Sequence, residues 1–285
     1  MWLVKNNFCI RRTNVLTYII ALDNINILKF ISCAMSLGIK AYSLFKSFGD
    51  NCVLRGISAN FNPSTSTVLL GGSGSGKSVF IKILSGLMPY EEGVVEIDGY
   101  DIAKLSKKDR SNILDQMGFL FQGGALFDSL KIWENVAFKL VNKYNVAKSK
   151  ARDVALEKLS LVGLKPGVAD LYPYELSGGM QKRAALARTI ASDPKVLFFD
   201  EPTTGLDPVM SEVINNLIIK CSNHLKSTSI IVTHDMHSAR RIGNMMYFLY
   251  RGNFIWNGKN QDLDASGNSY LDQFIQGRID GPIVL

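Results

Sequence analysis

Residues Gly71-Gly72-Ser73-Gly74-Ser75-Gly76-Lys77-Ser78 match the pattern G-x-x-x-x-G-K-[ST] at every fixed position. A chain that wraps phosphate oxygens with its N–H groups pointing inward needs glycine there, because side chains would obstruct the approach. Lys77 is placed to reach β and γ oxygens and the Ser78 hydroxyl to sit on Mg²⁺. Val79 follows in a helix whose positive end faces the phosphates. A second segment, Lys195-Val196-Leu197-Phe198-Phe199-Asp200-Glu201, carries four apolar residues into two carboxylates. A buried strand of this kind delivers Asp200 to a Mg²⁺ shell and places Glu201 one step beyond, where it can polarise a water for attack on the γ-phosphate. The two segments together read as the machinery for hydrolysing a nucleoside triphosphate.

A third segment, Leu176-Ser177-Gly178-Gly179-Met180, opens a helix rich in Ala and Arg (residues 181–191). A serine and two glycines at a helix start make another phosphate cradle. This segment resembles the signature motif of ABC ATPases, except that Met180 stands where glutamine is usual. The phosphate-facing Ser177, Gly178 and Gly179 are unchanged, so the departure implies no loss of hydrolysis.

The remaining features of that family are found in order between Ile39 and Phe254. Gln122 ends the run Met117–Phe121 and resembles the glutamine that touches Mg²⁺ and the attacking water. Gly205-Leu206-Asp207-Pro208 resembles the loop that communicates across a dimer, with Asp207 in that role. His234 follows Ile230–Thr233, as does the family's γ-phosphate-contacting histidine. Phe48, lying 29 positions before Lys77, resembles the aromatic that stacks on adenine, with Tyr42 and Phe45 close enough to compete for that role. The resemblance implies an α/β fold of the ABC ATPase type: a mainly parallel sheet core, an antiparallel β subdomain and a helical insertion. It also implies ATP and Mg²⁺ as ligands. The active unit would be a head-to-tail dimer in which Ser177 of one copy meets the ATP held by the other.

The stretch Phe121–Leu130, followed by Trp133-Glu134-Asn135-Val136, is similar to the Mla/Mkl group, the ATPases of MCE-type lipid transporters. The tail Phe274–Pro282 fits the same group. This implies an energy-coupling subunit on the cytoplasmic face of a bacterial inner membrane, moving phospholipids between inner and outer membranes. The implied partners are a separate multi-spanning permease and MCE-domain and STAS-type subunits, with no nucleic acid. No residue here recognises a transported substrate. An ABC ATPase acting on ribosomes or DNA is the main rival, but Lys77 and Ser177 are only 100 residues apart, with no coiled-coil array and no second phosphate loop. A non-hydrolysing module would lack Glu201 or His234.

These residues must be positioned by strands and helices that the patterning also reveals. Ile39–Phe45 and Val53–Phe61 read as strands around the turn Phe48–Asn51, and Thr67–Leu70 as a buried strand running into Gly71. Val79, Phe80, Ile83, Leu84 and Leu87 have helical spacing. Gly93–Ile97 is a strand, and Ser106–Asp109 resembles a capping box opening a helix through Gln116. Residues 122–193 read as mostly helical. Strands return at Lys195–Phe199, Ser229–Thr233 and Met245–Leu249, and strand–helix alternation implies a parallel sheet covered on both faces.

The 285 residues are 47% apolar and carry a net charge of +7, which invites a nucleic-acid reading. Five cations against Asp23 fall within residues 1–40, leaving +3 for the other 245 residues, so no basic body tracks a phosphate backbone. The apolar run Thr13–Leu22 is half the roughly 20 residues that a bilayer-spanning helix needs. Residues 1–34 are expected to be an appendage or an upstream extension, with Met35 as a candidate native start. The ATPase domain is expected over 39–265, with a tail over 266–285 as a possible dimer contact. Cys9, Cys33, Cys52 and Cys221 show no metal-ligand or C-x-x-C spacing and read as small apolar groups.

Overall fold

The structure is a computed structural model and describes residues 36–283. The expected appendage at 1–34 and the candidate start at Met35 lie outside the described residues. Two sheets organise the described chain. The first is antiparallel, in the order β2-β1-β4-β5, built from β1 (Ile39–Phe48), β2 (Asn51–Phe61), β4 (Glu92–Ile97) and β5 (Tyr100–Asp101). Its first strand alternates buried and exposed residues, as a sheet with one solvated face requires. β1 and β2 run further toward each other than the patterning suggests, so the turn between them shrinks to Gly49-Asp50. Asp98 and Gly99 both have positive φ (51° and 83°), the geometry of a tight hairpin between β4 and β5.

The second sheet has the order β10-β9-β3-β8-β7-β6. Its strands are β3 (Ser66–Leu70), β6 (Met117–Leu120), β7 (Val196–Asp200), β8 (Thr228–Val232), β9 (Met245–Tyr250) and β10 (Asn253–Lys259). All neighbouring pairs are parallel except β9–β10. Every residue of β7 and β8 is buried, which explains the apolar runs Val196–Phe199 and Ile230–Val232: a parallel sheet covered by helices on both faces leaves no polar side. In register, Leu69 pairs with Val232, Asp200 with Val232 and Leu120 with Phe199. The carboxyl ends of β3, β8, β7 and β6 therefore line up along one edge, the edge where ligands bind in open α/β sheets.

The helices are α1 (Lys77–Leu84), α2 (Lys107–Leu114), α3 (Ile132–Asn142), α4 (Lys148–Leu161), α5 (Gly178–Ile190), α6 (Pro208–Leu225), α7 (Met236–Ile242) and α8 (Ser269–Gln276). α1 is shorter than its apolar spacing suggests. Gly86 turns left-handed at φ 72° and Leu87 is 57% exposed, so Leu87 lies past the helix end. The Ser106 side chain accepts from the Asp109 N–H at 3.1 Å, the N-cap foreseen there. α3, α4 and α5 pack together through Val136, Leu140, Ala151, Ala155, Leu159 and Ala184, forming the helical insertion. α6, α7 and α8 complete the cover of the sheet. Among the described residues no helix is long and apolar enough to cross a membrane.

Candidate functional site

The phosphate loop follows directly from β3, and its glycines are required by geometry. Gly71 has φ 151°, and a Cβ there would lie 2.3 Å from the Leu249 carbonyl oxygen. Gly76 has φ 107° and is covered by Val53 and Leu54 at the start of β2. A Cβ on Gly72 or Gly74 would meet nothing within 4 Å, so the loop is closed behind and open in front. Ser73 stands exposed in this open face. Lys77 lies across the loop, buried, with Nζ donating to the carbonyls of Gly71 and Gly72 at 2.8 Å each. Burial lowers its pKa, with the Glu201 and Asp200 carboxylates acting in the opposite sense. The Ser75 hydroxyl is buried without a hydrogen-bond partner, on the closed side of the loop, where a Cβ on Gly71 would approach it to 2.9 Å.

Asp200 ends β7, buried, with Oδ1 accepting from the Ser78 hydroxyl at 2.8 Å. Burial pushes its pKa up, opposed by the Ser78 hydrogen bond and by Lys82 and Lys77. Glu201 takes a left-handed φ of 48°, a conformation that turns its side chain away from the strand's course and marks a strained position for a non-glycine residue. Its N–H bonds the Val232 carbonyl at 3.0 Å, tying it to the end of β8. His234, two residues beyond that end, brings Nδ1 to 3.0 Å from Glu201 Oε1. The Thr204 hydroxyl donates to Oε2 at 3.2 Å. Thr204 carries no motif signal of its own. Only its place three residues after Glu201 hints at the contact.

Lys77, Ser78, Asp200, Glu201 and His234 thus share one region, built from the ends of three adjacent strands. Gln122 lies at the same edge, beyond β6. It is exposed, and its carbonyl accepts from Lys182 of α5. Ser177 caps α5, its hydroxyl accepting from the Met180 N–H at 3.3 Å, and Gly178 beside it is exposed. A Cβ on Gly179 would fall 2.8 Å from the Met210 sulfur, which gives that glycine a packing reason. Met180 packs against the helical core, so glutamine is not needed to hold this turn. Asp207 caps α6 by accepting from the Met210 N–H at 2.9 Å, so one methionine links the Ser177 and Asp207 segments.

Of the three candidate aromatics, Tyr42 is exposed on β1, and Phe45 and Phe48 differ in their packing. The Phe45 ring lies over Gly56, where a Cβ would approach it to 2.8 Å. Phe48 is 50% exposed at the hairpin end, with Lys46 Nζ 5.1 Å from its ring centre. Because Val53 and Leu54 touch Gly76, that hairpin end adjoins the phosphate loop. Of the cysteines in the described region, Cys221 is buried, its thiol pushed up to about 11 by burial, and Cys52 is half-buried. Both are free and outside the site.

Comparison with known proteins places this arrangement. The ABC transporter family pattern matches residues 54–204. The Mycobacterium leprae protein named probable ribonucleotide transport ATP-binding protein mkl is 40% identical over 249 residues, covering 87% of this chain and 72% of its own. The intermembrane phospholipid transport system ATP-binding protein MlaF of Haemophilus influenzae is 38% identical, covering 82% of this chain and 89% of its own. Among solved structures, the dimeric post-hydrolysis state of the ATP-binding cassette MJ0796 bound to ADP and Pi has a TM-score of 0.71 at 31% identity, covering 78% of this chain and 98% of that one. The chain belongs to the ABC transporter family, as one of its ATP-binding and ATP-hydrolysing cassettes.

Proposed function

We propose that this chain is the energy-coupling subunit of an inner-membrane transporter that moves phospholipids between membranes. Two copies close head to tail around two ATP molecules. The observation that carries the shared-site part is the division of the chemistry. Lys77, Asp200, Glu201 and His234 converge, whereas the hydrogen bonds of Ser177 go only to Met180 and Gln181 among the described residues. A helix start with an exposed glycine beside it is free to receive a phosphate from outside. The phospholipid part rests on the similarity to MlaF. The mkl relative's name points to a different cargo, ribonucleotides.

In this reading Lys77 exchanges the Gly71 and Gly72 carbonyls for β and γ oxygens. Ser78 and Asp200 fit a Mg²⁺ ion. Their oxygens lie together, and Asp200 is a buried carboxylate whose charge a cation would offset. With Gln122 they would hold the ion, which neutralises phosphate charge during transfer. Glu201 takes a proton from the attacking water, held in orientation by His234 and Thr204. ATP binds the closed pair better than the open one, and that difference in affinity drives closure. The chain sits peripherally at the cytoplasmic face, with a separate permease and with MCE-domain and STAS-type subunits as partners.

Base–aromatic stacking contributes about 1–3 kcal/mol. Phe48→Ala should therefore weaken ATP binding about tenfold, whereas Phe45→Ala should leave affinity near that of the parent. Titration with a fluorescent ATP analogue distinguishes them. The wider reading is tested by purifying the tagged chain from native membranes and identifying proteins and lipids that accompany it. A multi-spanning permease with enriched phospholipid is expected. A ribosome or DNA as sole partner would contradict it.

A further inference from the structure

The buried positions of β1 are Ile39, Ala41, Leu44 and Lys46. The last is a cation where the alternation calls for an apolar side chain, and a lysine withdrawn from water needs a partner. Lys46 Nζ donates to Glu91 Oε1 at 2.5 Å. Glu91, just before β4, also holds the residues on either side of Lys46. Its Oε2 accepts from the Ser47 N–H at 2.9 Å, and its own N–H donates to the Phe45 carbonyl at 3.2 Å. The Lys46 hydrogen bond keeps the Glu91 carboxyl below the usual carboxylate range, so it stays charged at neutral pH. One acid is thus committed to the three residues that lead toward Phe48.

The hairpin bends at the same place. Lys46 pairs with Leu54 of β2 but Ser47 pairs with Cys52, so Val53 is an extra residue, and a bulge of this kind re-aims the side chains that follow it. On the β2 side, Val53 and Leu54 cover Gly76 of the phosphate loop. On the β1 side, Phe48 emerges half-exposed, with the Lys46 ammonium over its ring at 5.1 Å from the centre. The ammonium is attracted by the electron-rich face of the ring and restrains its rotation. That face is taken, and the opposite one is left for a flat ligand. A ring already held in place loses less freedom when a base stacks on it.

We infer that Lys46, braced by Glu91, is a positioning residue that fixes the Phe48 ring from behind and leaves its opposite face to stack on the nucleobase. The inference rests on the reading of Phe48 as the adenine platform. The Glu91 carboxylate is 46% exposed, so water can replace the ammonium in Lys46→Met and the folded chain should tolerate that change.

Calorimetric titration of the full chain with ATP and with inorganic tripolyphosphate, each with Mg²⁺, tests this. Lys46→Met should weaken ATP binding about three- to fivefold, the scale of a cation–π contact, and leave tripolyphosphate binding at the parent value. Lys46→Arg should restore ATP binding. In a chain that already carries Phe48→Ala, adding Lys46→Met should change ATP affinity no further. Parent-like ATP affinity in Lys46→Met would overturn the inference. So would an equal loss for ATP and tripolyphosphate, which would mean that Lys46 holds the phosphate loop and not the ring. An added loss on top of Phe48→Ala would overturn it as well, since the lysine would then act on the nucleotide directly. Phe48→Ala alone separates the two claims. If it leaves ATP affinity unchanged, the platform reading fails and takes the inference with it; if it weakens ATP binding while Lys46→Met does not, only the inference fails.

Discussion

Glu201→Gln is expected to slow ATP turnover by about 100-fold or more, the scale of losing a positioned general base, while ATP still binds. The substitution keeps the side chain's shape. His234 Nδ1, 3.0 Å from Oε1, and the Thr204 hydroxyl, 3.2 Å from Oε2, can still find acceptor atoms or exchange roles with the amide. What is lost is the capacity to take a proton. The residues around the phosphate loop are untouched, because Glu201 reaches Lys77 only through charge and not through a hydrogen bond. The variant should therefore hold ATP in a closed dimer. Single-turnover kinetics with radiolabelled ATP measures the effect, and hydrolysis at the parent rate would remove Glu201 from its assigned role.

Lys77→Met should have the largest effect on binding. Truncating one partner of a buried charged contact costs about 2–5 kcal/mol, which corresponds to an ATP affinity at least about 30-fold weaker. The folded chain should tolerate the change well. Lys77 is buried and its pKa is lowered by desolvation, so an apolar side chain of similar length removes a buried cation rather than opening a cavity. Its contacts with the Gly71 and Gly72 carbonyls are lost, but a Cβ on Gly72 would meet nothing within 4 Å, so water can reach that carbonyl. Calorimetric titration combined with thermal melting should show affinity lost at nearly unchanged stability. Loss of both together would mean that the lysine builds the loop rather than reading the ligand.

The parts of this molecule that the sequence discloses are those where backbone geometry or complete burial restricts residue choice. Gly71 and Gly76 are legible because a side chain would collide with Leu249 and with Val53 and Leu54. β7, β8 and β9 are legible because burial on both faces demands apolar runs, broken in β8 only by Thr228 and Ser229 at its start. β10 escapes for the opposite reason. It is an edge strand, largely half-exposed, and Asn253, Asn257 and Lys259 break its pattern. The turn into it uses Arg251 at φ 46°, a residue type that gives no turn signal. Leu87 misleads because helical spacing continues past the left-handed Gly86 that ends α1. Thr204, Lys182 and Arg188 are invisible to motif reading. The two cations act on carbonyls 60 to 64 residues earlier, a relation that no local periodicity encodes. Three aromatics along β1, Tyr42, Phe45 and Phe48, cannot be ranked by spacing alone. Packing sets one of them apart, since the Phe45 ring is committed to Gly56.

Thr204→Val offers a check on the immediate surroundings of the base: it should lower kcat several-fold without altering KM, because the hydroxyl touches Glu201 and not the loop. The shared site itself is the central claim, and the mass of the ATP-bound chain tests it most directly. Light scattering on the Glu201→Gln protein should show conversion from monomer to dimer on adding ATP with Mg²⁺. Adding Ser177→Arg should leave ATP bound at the phosphate loop but keep the chain monomeric. A Ser177→Arg chain that still forms the ATP-dependent dimer would contradict the account.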